Sequence, residues 1–292
     1  MARFLPTDAV FAGFRFVRER PATVLVWAAY LLVLLAVASV AMFDIGGDAL
    51  TSLMIASQGA KPDPAKLVKL MEQVAPASLF AELLITVFGA VLATAILRVR
   101  LTPGPHPWGG LKLGGDELRM LAGTLLVMIC VFCLSMAAGV FADLAGEFGL
   151  PPLIPLSLGL LLVLAVQVRL SLVGVICQAE GRISLPRSIH LTKGMFWRLL
   201  GAYVLLAAIT LVILFLLSVI FAALIGAAAM ATGGGVNQMA LALQGRFADL
   251  NPLLAVLYVA SNLAQVWVIV VFLAVFLNIT TEAYKSGIVE RS

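Results

Sequence analysis

The chain has 292 residues, of which 62% are hydrophobic and only 12% are charged, and its mean hydropathy is +1.10. This composition excludes an ordinary soluble globular protein and predicts a protein that lies in a lipid bilayer. The formal net charge is +4. Whether that excess indicates an acidic partner depends on where the basic residues fall along the chain.

Six apolar stretches follow one another, each close to the roughly 20 residues that a helix needs to cross the hydrocarbon core. An amphipathic segment at residues 1–20 precedes the first of them and predicts a helix on the membrane surface. We therefore predict an all-α integral membrane fold, a single six-helix domain over residues 1–292. The expected spans are at about 21–43, 75–97, 120–142, 150–176, 197–230 and 252–281.

Fifteen of the 19 Lys and Arg residues fall in segments on the same side of the membrane as the N-terminus. Because basic residues accumulate in cytoplasmic segments, this bias predicts that both termini are cytoplasmic. We expect a multi-pass protein of the bacterial inner membrane. The placement explains the basic excess without nucleic acid, and anionic lipid of the inner leaflet is the expected partner.

An apolar–basic–apolar triplet precedes the first, third and fifth spans by the same seven positions. We call the three segments the elbows, and their triplets are Phe14-Arg15-Phe16, Leu111-Lys112-Leu113 and Ile189-His190-Leu191. The spacing suggests three repeats, each an elbow helix followed by a transmembrane hairpin. Chance is the alternative, since basic and aromatic residues are common at the cytoplasmic interface.

Two longer outer segments carry apolar stripes that are typical of amphipathic helices on the outer membrane surface. One lies within residues 44–74 and the other follows Gly233-Gly234-Gly235. Neither stripe contains a group suited to chemistry. We expect both to lie on the membrane or to cover the helix bundle.

Ionisable side chains within the spans mark where transport or chemistry would be found, because burying them is unfavourable. Glu82 in the second span is either an interfacial carboxylate or a proton or cation site. Arg169, with Gln167 beside it, lies near the inner end of the fourth span. We expect Arg169 to pair with Glu282 of the sixth span, with an anion or lipid-phosphate site as the alternative.

Other polar residues form no catalytic or metal-binding motif. Asn262, Gln265 and Asn278 of the sixth span are expected to form hydrogen bonds across helices. Cys130 and Cys133 lie one turn apart without a histidine or carboxylate nearby, which favours packing over a redox or metal role. The two histidines fall in different inner segments. We therefore expect no enzyme activity, no cofactor and no metal.

The densest cluster of polar and aromatic residues occupies the inner segment 169–201. A short helix is predicted at 185–191, ended by Gly194, with Trp197 and Arg198 at the membrane interface.

Five motifs stand in this segment, namely Arg169-Leu170-Ser171-Leu172, Glu180-Gly181, Arg187-Ser188, Leu191-Thr192-Lys193-Gly194 and Phe196-Trp197-Arg198-Leu199. In these motifs the chain resembles the membrane domain that precedes the catalytic domain of some bacterial glycerophosphodiester phosphodiesterases, and stand-alone inner-membrane relatives of that domain. The resemblance implies no catalytic residue in the membrane domain. No phosphodiesterase domain is expected in this chain, so the resemblance implies no activity.

The leading hypothesis is a non-enzymatic membrane protein, either a lipid-contacting scaffold or an accessory subunit of a larger membrane complex. The residues expected to contact anionic lipid are Arg15, Arg18, Arg169, Arg187, His190, Lys193, Trp197 and Arg198. The alternative is a transporter or lipid translocator that uses Arg169 with Glu82 or Glu282. An intramembrane enzyme would need polar groups clustered around one cavity.

Overall fold

The computed structural model describes residues 4–57, 64–102, 104–148, 151, 153–232 and 251–289. Every regular element in these ranges is a helix, and six stretches are long and apolar enough to cross a membrane. The prediction of an all-α multi-pass membrane protein is confirmed. The surface helix predicted after Gly233-Gly234-Gly235 lies outside the described residues.

Nine α-helices and one short 3-10 helix follow one another in the described ranges. The α-helices are α1 (Pro6–Glu19), α2 (Pro21–Ser57), α3 (Pro64–Leu101), α4 (Gly115–Glu147), α5 (Leu153–Leu170), α6 (Val173–Glu180), α7 (Leu185–Thr192), α8 (Phe196–Ala231) and α9 (Pro252–Val289). The 3-10 helix is Pro107–Gly110.

Proline marks the first residue of four helices, at Pro6, Pro21, Pro64 and Pro252. The missing N–H of proline has no intrahelical partner at this position in any case, and its fixed φ suits the helix. The starts of α1 and α2 therefore agree with the prediction of a helix within residues 1–20 followed by a span that begins at Pro21, and the surface location of α1 stays a prediction.

The prediction of a separate surface helix within 44–74 is wrong. α2 continues to Ser57, and the apolar stripe belongs to the first turns of α3, which begins at Pro64. A Cβ at Gly46 of α2 would lie 3.0 Å from Cβ of Ala77, so this part of α3 packs closely on α2. Extending an existing helix adds a hydrogen bond per residue without a new nucleation step. Of the stripe residues, Val74 is buried and Met71 stays exposed.

The three elbows do not share one conformation. α1 and α7 are α-helices, and Gly194 with φ 92° follows α7 as predicted. The middle elbow is different, because the triplet around Lys112 is non-helical and follows the 3-10 helix. Pro105 and Pro107 just before it lack N–H donors and restrict the residues that precede them. The threefold repeat stays a prediction.

The chain divides into two compact units. Unit 1 comprises Met1–Val24, Ala90–Ala207 and Phe272–Ser292, and unit 2 comprises Leu25–Gly89 and Ala208–Val271. Within unit 2, the Tyr30 hydroxyl donates a hydrogen bond to the carbonyl of Phe88 (3.0 Å), which joins α2 to α3. A small core in the same unit joins α8 to α9 and consists of Ile225, Ala228, Ala229 and Leu254.

The C-terminal part of α9 forms the centre of unit 1. Its buried residues are Ala274, Val275, Leu277, Asn278, Ile279, Thr280, Thr281, Ala283 and Tyr284. α1 lies directly against it, because a Cβ at Gly13 would be 2.8 Å from Cγ1 of Val275. The Asn278 side-chain amide also donates to the carbonyl of Ala9 (3.2 Å). α1 is therefore half embedded in the fold rather than resting only on the membrane.

We expect Gly13→Ala to destabilise the protein, because the added methyl group would overlap the backbone and side chain of Val275. Overpacking of this kind costs about 1–3 kcal/mol. Gly139→Ala in α4 is the matched control, since a Cβ there meets nothing within 4 Å. Thermal unfolding in detergent should show a lower midpoint for Gly13→Ala alone, and equal midpoints for the two variants would contradict the close contact between α1 and α9.

Candidate functional site

The predicted fourth span is not one continuous helix. α5 ends at Leu170, the chain turns at Ser171 and Leu172, and α6 begins at Val173. The fourth span predicted at about 150–176 is confirmed as the apolar stretch Ile154–Glu180, whereas the interruption at Ser171 was not predicted. The turn falls inside the Arg-Leu-Ser-Leu motif.

Three side-chain hydrogen bonds stabilise this turn. The Ser171 hydroxyl donates to the carbonyl of Val168 (2.8 Å) and accepts from the hydroxyl of Tyr203 on α8 (2.8 Å). The buried Ser188 hydroxyl on α7 donates to the carbonyl of Arg169 (2.7 Å). A helix end leaves its last carbonyls without intrahelical partners, and these serines supply them.

The Glu180-Gly181 motif ends α6 and anchors the following turn. Gly181 has φ 66°, a left-handed conformation that glycine adopts without steric cost. The Glu180 carboxylate contacts the guanidinium groups of Arg182 (2.8 Å) and Arg187 (3.3 Å) and accepts from the Tyr284 hydroxyl of α9 (3.2 Å). Glu180 therefore links two motifs of this segment through Arg187 and connects the segment to α9 through Tyr284.

The predicted ion pair between Arg169 and Glu282 is not formed. Glu282 pairs instead with Arg100 of α3 (2.7 Å) and with Lys285 (3.6 Å). The Arg169 guanidinium lies over the Phe196 ring, 5.5 Å from its centroid, at the start of α8. The sequence places both arginines near the same ends of the spans, but only packing decides which one α9 meets.

A second cluster of charges joins α3 to α4, and the sequence analysis did not identify it. Arg98 contacts the carboxylate of the buried Glu117 (2.5 Å) and that of Asp116 (3.6 Å), and donates to the carbonyl of Gly110 (2.6 Å). Asp116 also pairs with Arg119 (3.0 Å). The available signal was the acidic pair in the first turn of α4, where the helix dipole favours negative charge.

Most of the side chains predicted to contact lipid are accessible. The exposed ones are Arg15, Arg18, His190, Lys193 and Trp197. Trp197 has 78% of its surface exposed, at the first turn of α8. Arg187 and Arg198 are half-buried. Arg187 is held by Glu180, so it serves the structure of the segment rather than offering a free charge.

The prediction of interhelical hydrogen bonds from the amides of the sixth span is wrong for two residues. Asn262 donates to the carbonyl of Tyr258 (2.9 Å), and Gln265 donates to the hydroxyl of Ser261 (3.2 Å), both within α9. Both amides lie on exposed positions of the helix. The same prediction is confirmed for Asn278, further along α9, which donates to the carbonyl of Ala9 on α1.

The remaining intramembrane candidates belong to different units. Glu82 is exposed on α3 within unit 2, and Gln167 is exposed on α5 within unit 1. Cys133 is exposed and Cys177 is buried. Among the described residues, no group of three or more His, Cys, Asp or Glu side chains is placed to hold a metal ion.

A groove with a volume of about 540 Å³ lies in unit 1 between α4, α5, α6, α8 and α9. Apolar side chains form most of its wall. Its polar lining residues are Thr124, Gln167, Ser171, Tyr203 and Thr280. Gln167 was a predicted candidate, whereas Tyr203 was not, although a tyrosine in the most apolar span is an unusual residue that marks the position.

Comparison of the chain with protein-family models, with curated proteins and with solved structures finds no match. The resemblance of segment 169–201 to the membrane domain of glycerophosphodiester phosphodiesterases therefore stays a prediction.

We expect Ser188→Ala to lower the free energy of unfolding by about 1–3 kcal/mol, because it leaves the Arg169 carbonyl without its hydrogen-bond donor. Ser218→Ala is the control, since the exposed Ser218 hydroxyl bonds only to Phe215 within its own helix. Denaturation by sodium dodecyl sulfate in mixed micelles measures both. If Ser188→Ala lowers the free energy of unfolding no more than Ser218→Ala does, the hydrogen bond from Ser188 to the Arg169 carbonyl does not stabilise the fold.

A double-mutant cycle tests which arginine Glu282 pairs with. We expect Arg100→Gln and Glu282→Gln to show a coupling energy of about 1 kcal/mol, because their side chains are in direct contact and partly buried. The parallel cycle with Arg169→Gln and Glu282→Gln should give no coupling. Coupling to Arg169 alone would restore the pairing expected from the sequence. The same denaturation assay supplies all of the required free energies.

Proposed function

We propose that the protein is a non-enzymatic component of the bacterial inner membrane that binds anionic phospholipid at its basic end. We define the basic end as the helix ends that carry Arg15, Arg18, Arg100, Arg169, Arg187 and Arg198. In this proposal both termini and the basic end face the cytoplasm. The protein acts as a lipid-contacting scaffold or as an accessory subunit of a larger membrane complex.

The observation that carries the proposal is the exposed face of α1. Phe11, Arg15 and Arg18 recur at helical spacing and are exposed, and Phe11 has 59% of its surface accessible. The opposite face of α1 contacts α9. An interfacial helix with an aromatic residue and arginines on one face can insert its ring between lipids while the arginines meet phosphates.

The distribution of ion pairs supports the same interpretation. Several basic residues of unit 1 are engaged by carboxylates, namely Arg98, Arg100, Arg119, Arg182 and Arg187. In the part of the chain that the structure describes, no carboxylate lies within ion-pair distance of Arg15 or Arg18. Their charges are therefore available to lipid headgroups.

The exposed Trp197 adds a second point of contact. Its ring stands at the first turn of α8, where an indole would sit among headgroups and donate its N–H there. The resemblance of segment 169–201 to a membrane domain without catalytic residues agrees with a non-enzymatic role. The segment's polar side chains form hydrogen bonds and ion pairs with one another, which supports a structural role rather than a catalytic one.

We expect the protein, extracted with its surrounding lipid in polymer-bounded discs, to be enriched in phosphatidylglycerol over the bulk membrane. The double variant Arg15→Gln with Arg18→Gln should weaken this enrichment about tenfold or more, since each basic side chain near an anionic surface contributes about 1 kcal/mol. Quantitative lipid mass spectrometry of the discs measures the ratio.

The matched control is the double variant Lys66→Gln with Lys69→Gln, which removes two exposed charges from the first turns of α3. This variant should keep the enrichment. If both double variants lower the enrichment of phosphatidylglycerol equally, the total charge of the protein selects the lipid, and not the position of the charges at the basic end. Purification of a monomer with neither retained anionic lipid nor a partner protein would overturn the proposal.

A further inference from the structure

The groove in unit 1 opens at the surface of the membrane-spanning helices. Three of its lining residues, Met128, Leu164 and Val204, remain substantially exposed, with Val204 at 59%. Since they lie within helices that are long and apolar enough to cross the membrane, the medium at the groove's opening is lipid. Its volume of about 540 Å³ falls in the ordinary range of ligand pockets.

One face of α8 defines the direction of the groove. Leu200, Tyr203, Val204 and Ala207 line it at the spacing of a single helix face. Phe196 lies four residues before Leu200 and therefore occupies the same face, one turn closer to the basic end. Phe196 does not line the groove itself, but it extends this face of α8 to the start of the helix.

The length of this face of α8, from Phe196 to Ala207, matches one leaflet. Phe196 and Ala207 are 11 residues apart, which corresponds to about 16 Å along the helix. Half of a hydrocarbon core of about 30 Å is nearly the same length. An acyl chain from the leaflet at the basic end would therefore fill the groove and stop near the middle of the membrane.

Arg169 supplies a positive charge beside Phe196, at the start of this face of α8. The half-buried Arg169 guanidinium lies over the Phe196 ring, 5.5 Å from its centroid, and no carboxylate of the described residues lies within ion-pair distance of it. Asp116 and Glu117, one turn before the groove residue Met120 on α4, are paired with Arg98. The nearest acidic groups on that helix are therefore neutralised.

We infer that the groove holds one acyl chain of an anionic phospholipid, whose headgroup phosphate is bound by Arg169. The inference rests on the proposed function and adds to it a defined binding site, separate from the lipid contacts of α1. In the site, the hydrogen-bonded hydroxyls of Tyr203 and Ser171 turn toward each other, so that the chain meets a wall with few unsatisfied polar groups.

Native mass spectrometry of the protein in detergent, with added phosphatidylglycerol or phosphatidylcholine, tests the site. The wild-type protein should retain one phosphatidylglycerol at collision energies that remove the others. Arg169→Gln should lower the occupancy of this lipid about tenfold, since a charge-assisted hydrogen bond is lost. Retention of phosphatidylcholine should be weaker and should not respond to Arg169→Gln.

Val204→Trp tests the groove itself, because the indole would occupy the space of the acyl chain. Val212→Trp is its matched control, as Val212 is exposed to the same extent (58%) on α8 but does not line the groove. Both variants should keep the wild-type melting temperature, and only Val204→Trp should remove the retained lipid. Should Val204→Trp melt early, Ala207→Leu fills the upper groove with a smaller side chain and is expected to weaken retention in the same way.

The outcomes separate this inference from the proposed function. If phosphatidylglycerol remains enriched around the protein but the retained molecule is unaffected by Val204→Trp and Arg169→Gln, the groove site is wrong and the proposed function stands. Loss of the retained lipid in both Val204→Trp and Val212→Trp would also overturn the site. If no anionic lipid is enriched or retained in any variant, both proposals fail.

Discussion

The C-terminal part of α9 buries nearly its whole circumference while carrying Asn278, Thr280 and Thr281. Buried polar groups need hydrogen-bond partners, and each of these residues finds one in a way that shapes unit 1. The hydroxyls of Thr280 and Thr281 both donate to the carbonyl of Leu277 within α9, so their burial needs no partner on another helix. The Asn278 amide has to reach another helix, and its bond to the backbone of α1 fixes where α1 lies. Two further contacts are made to this helix. Arg100 pairs with Glu282, and Glu180 accepts a hydrogen bond from Tyr284.

Features that depend on local sequence were predictable. The six spans follow from apolar length, the start of α2 from Pro21, and the end of α7 from Gly194. Features that depend on partners distant in sequence were not. The turn at Ser171 is stabilised by residues 17 to 32 positions away, and nothing in the apolar pattern of the fourth span indicates an interruption there. The pairing of Glu282 with Arg100 rather than with Arg169 was also not predictable. It depends on which arginine the packing of the helices brings next to α9.

The motifs of segment 169–201 acquire a physical meaning from the structure. Their serines cap the end of α5, and their glycines take left-handed conformations. Glu180 pairs with Arg182 and Arg187 and accepts a hydrogen bond from Tyr284. Most of the segment's polarity is therefore internal. The segment exposes His190, Lys193 and Trp197, and the half-buried guanidinium of Arg169 stacks on Phe196. The predicted lipid-contacting set thus separates into residues that build the segment, such as Arg187, and residues that are available to a ligand.

The contact between α1 and α9 joins residues 269 positions apart. During synthesis α1 leaves the ribosome long before its partner exists, so its buried face has to be accommodated elsewhere until the last span is made. The amphipathic pattern of α1 allows the helix to form at the membrane surface and to keep its apolar face in the lipid until α9 is inserted. The closing step of folding would then be the docking of α1 onto α9. A slow or failed insertion of the last span would leave the first helix on the bilayer, recognisable to quality-control proteases by its unburied face.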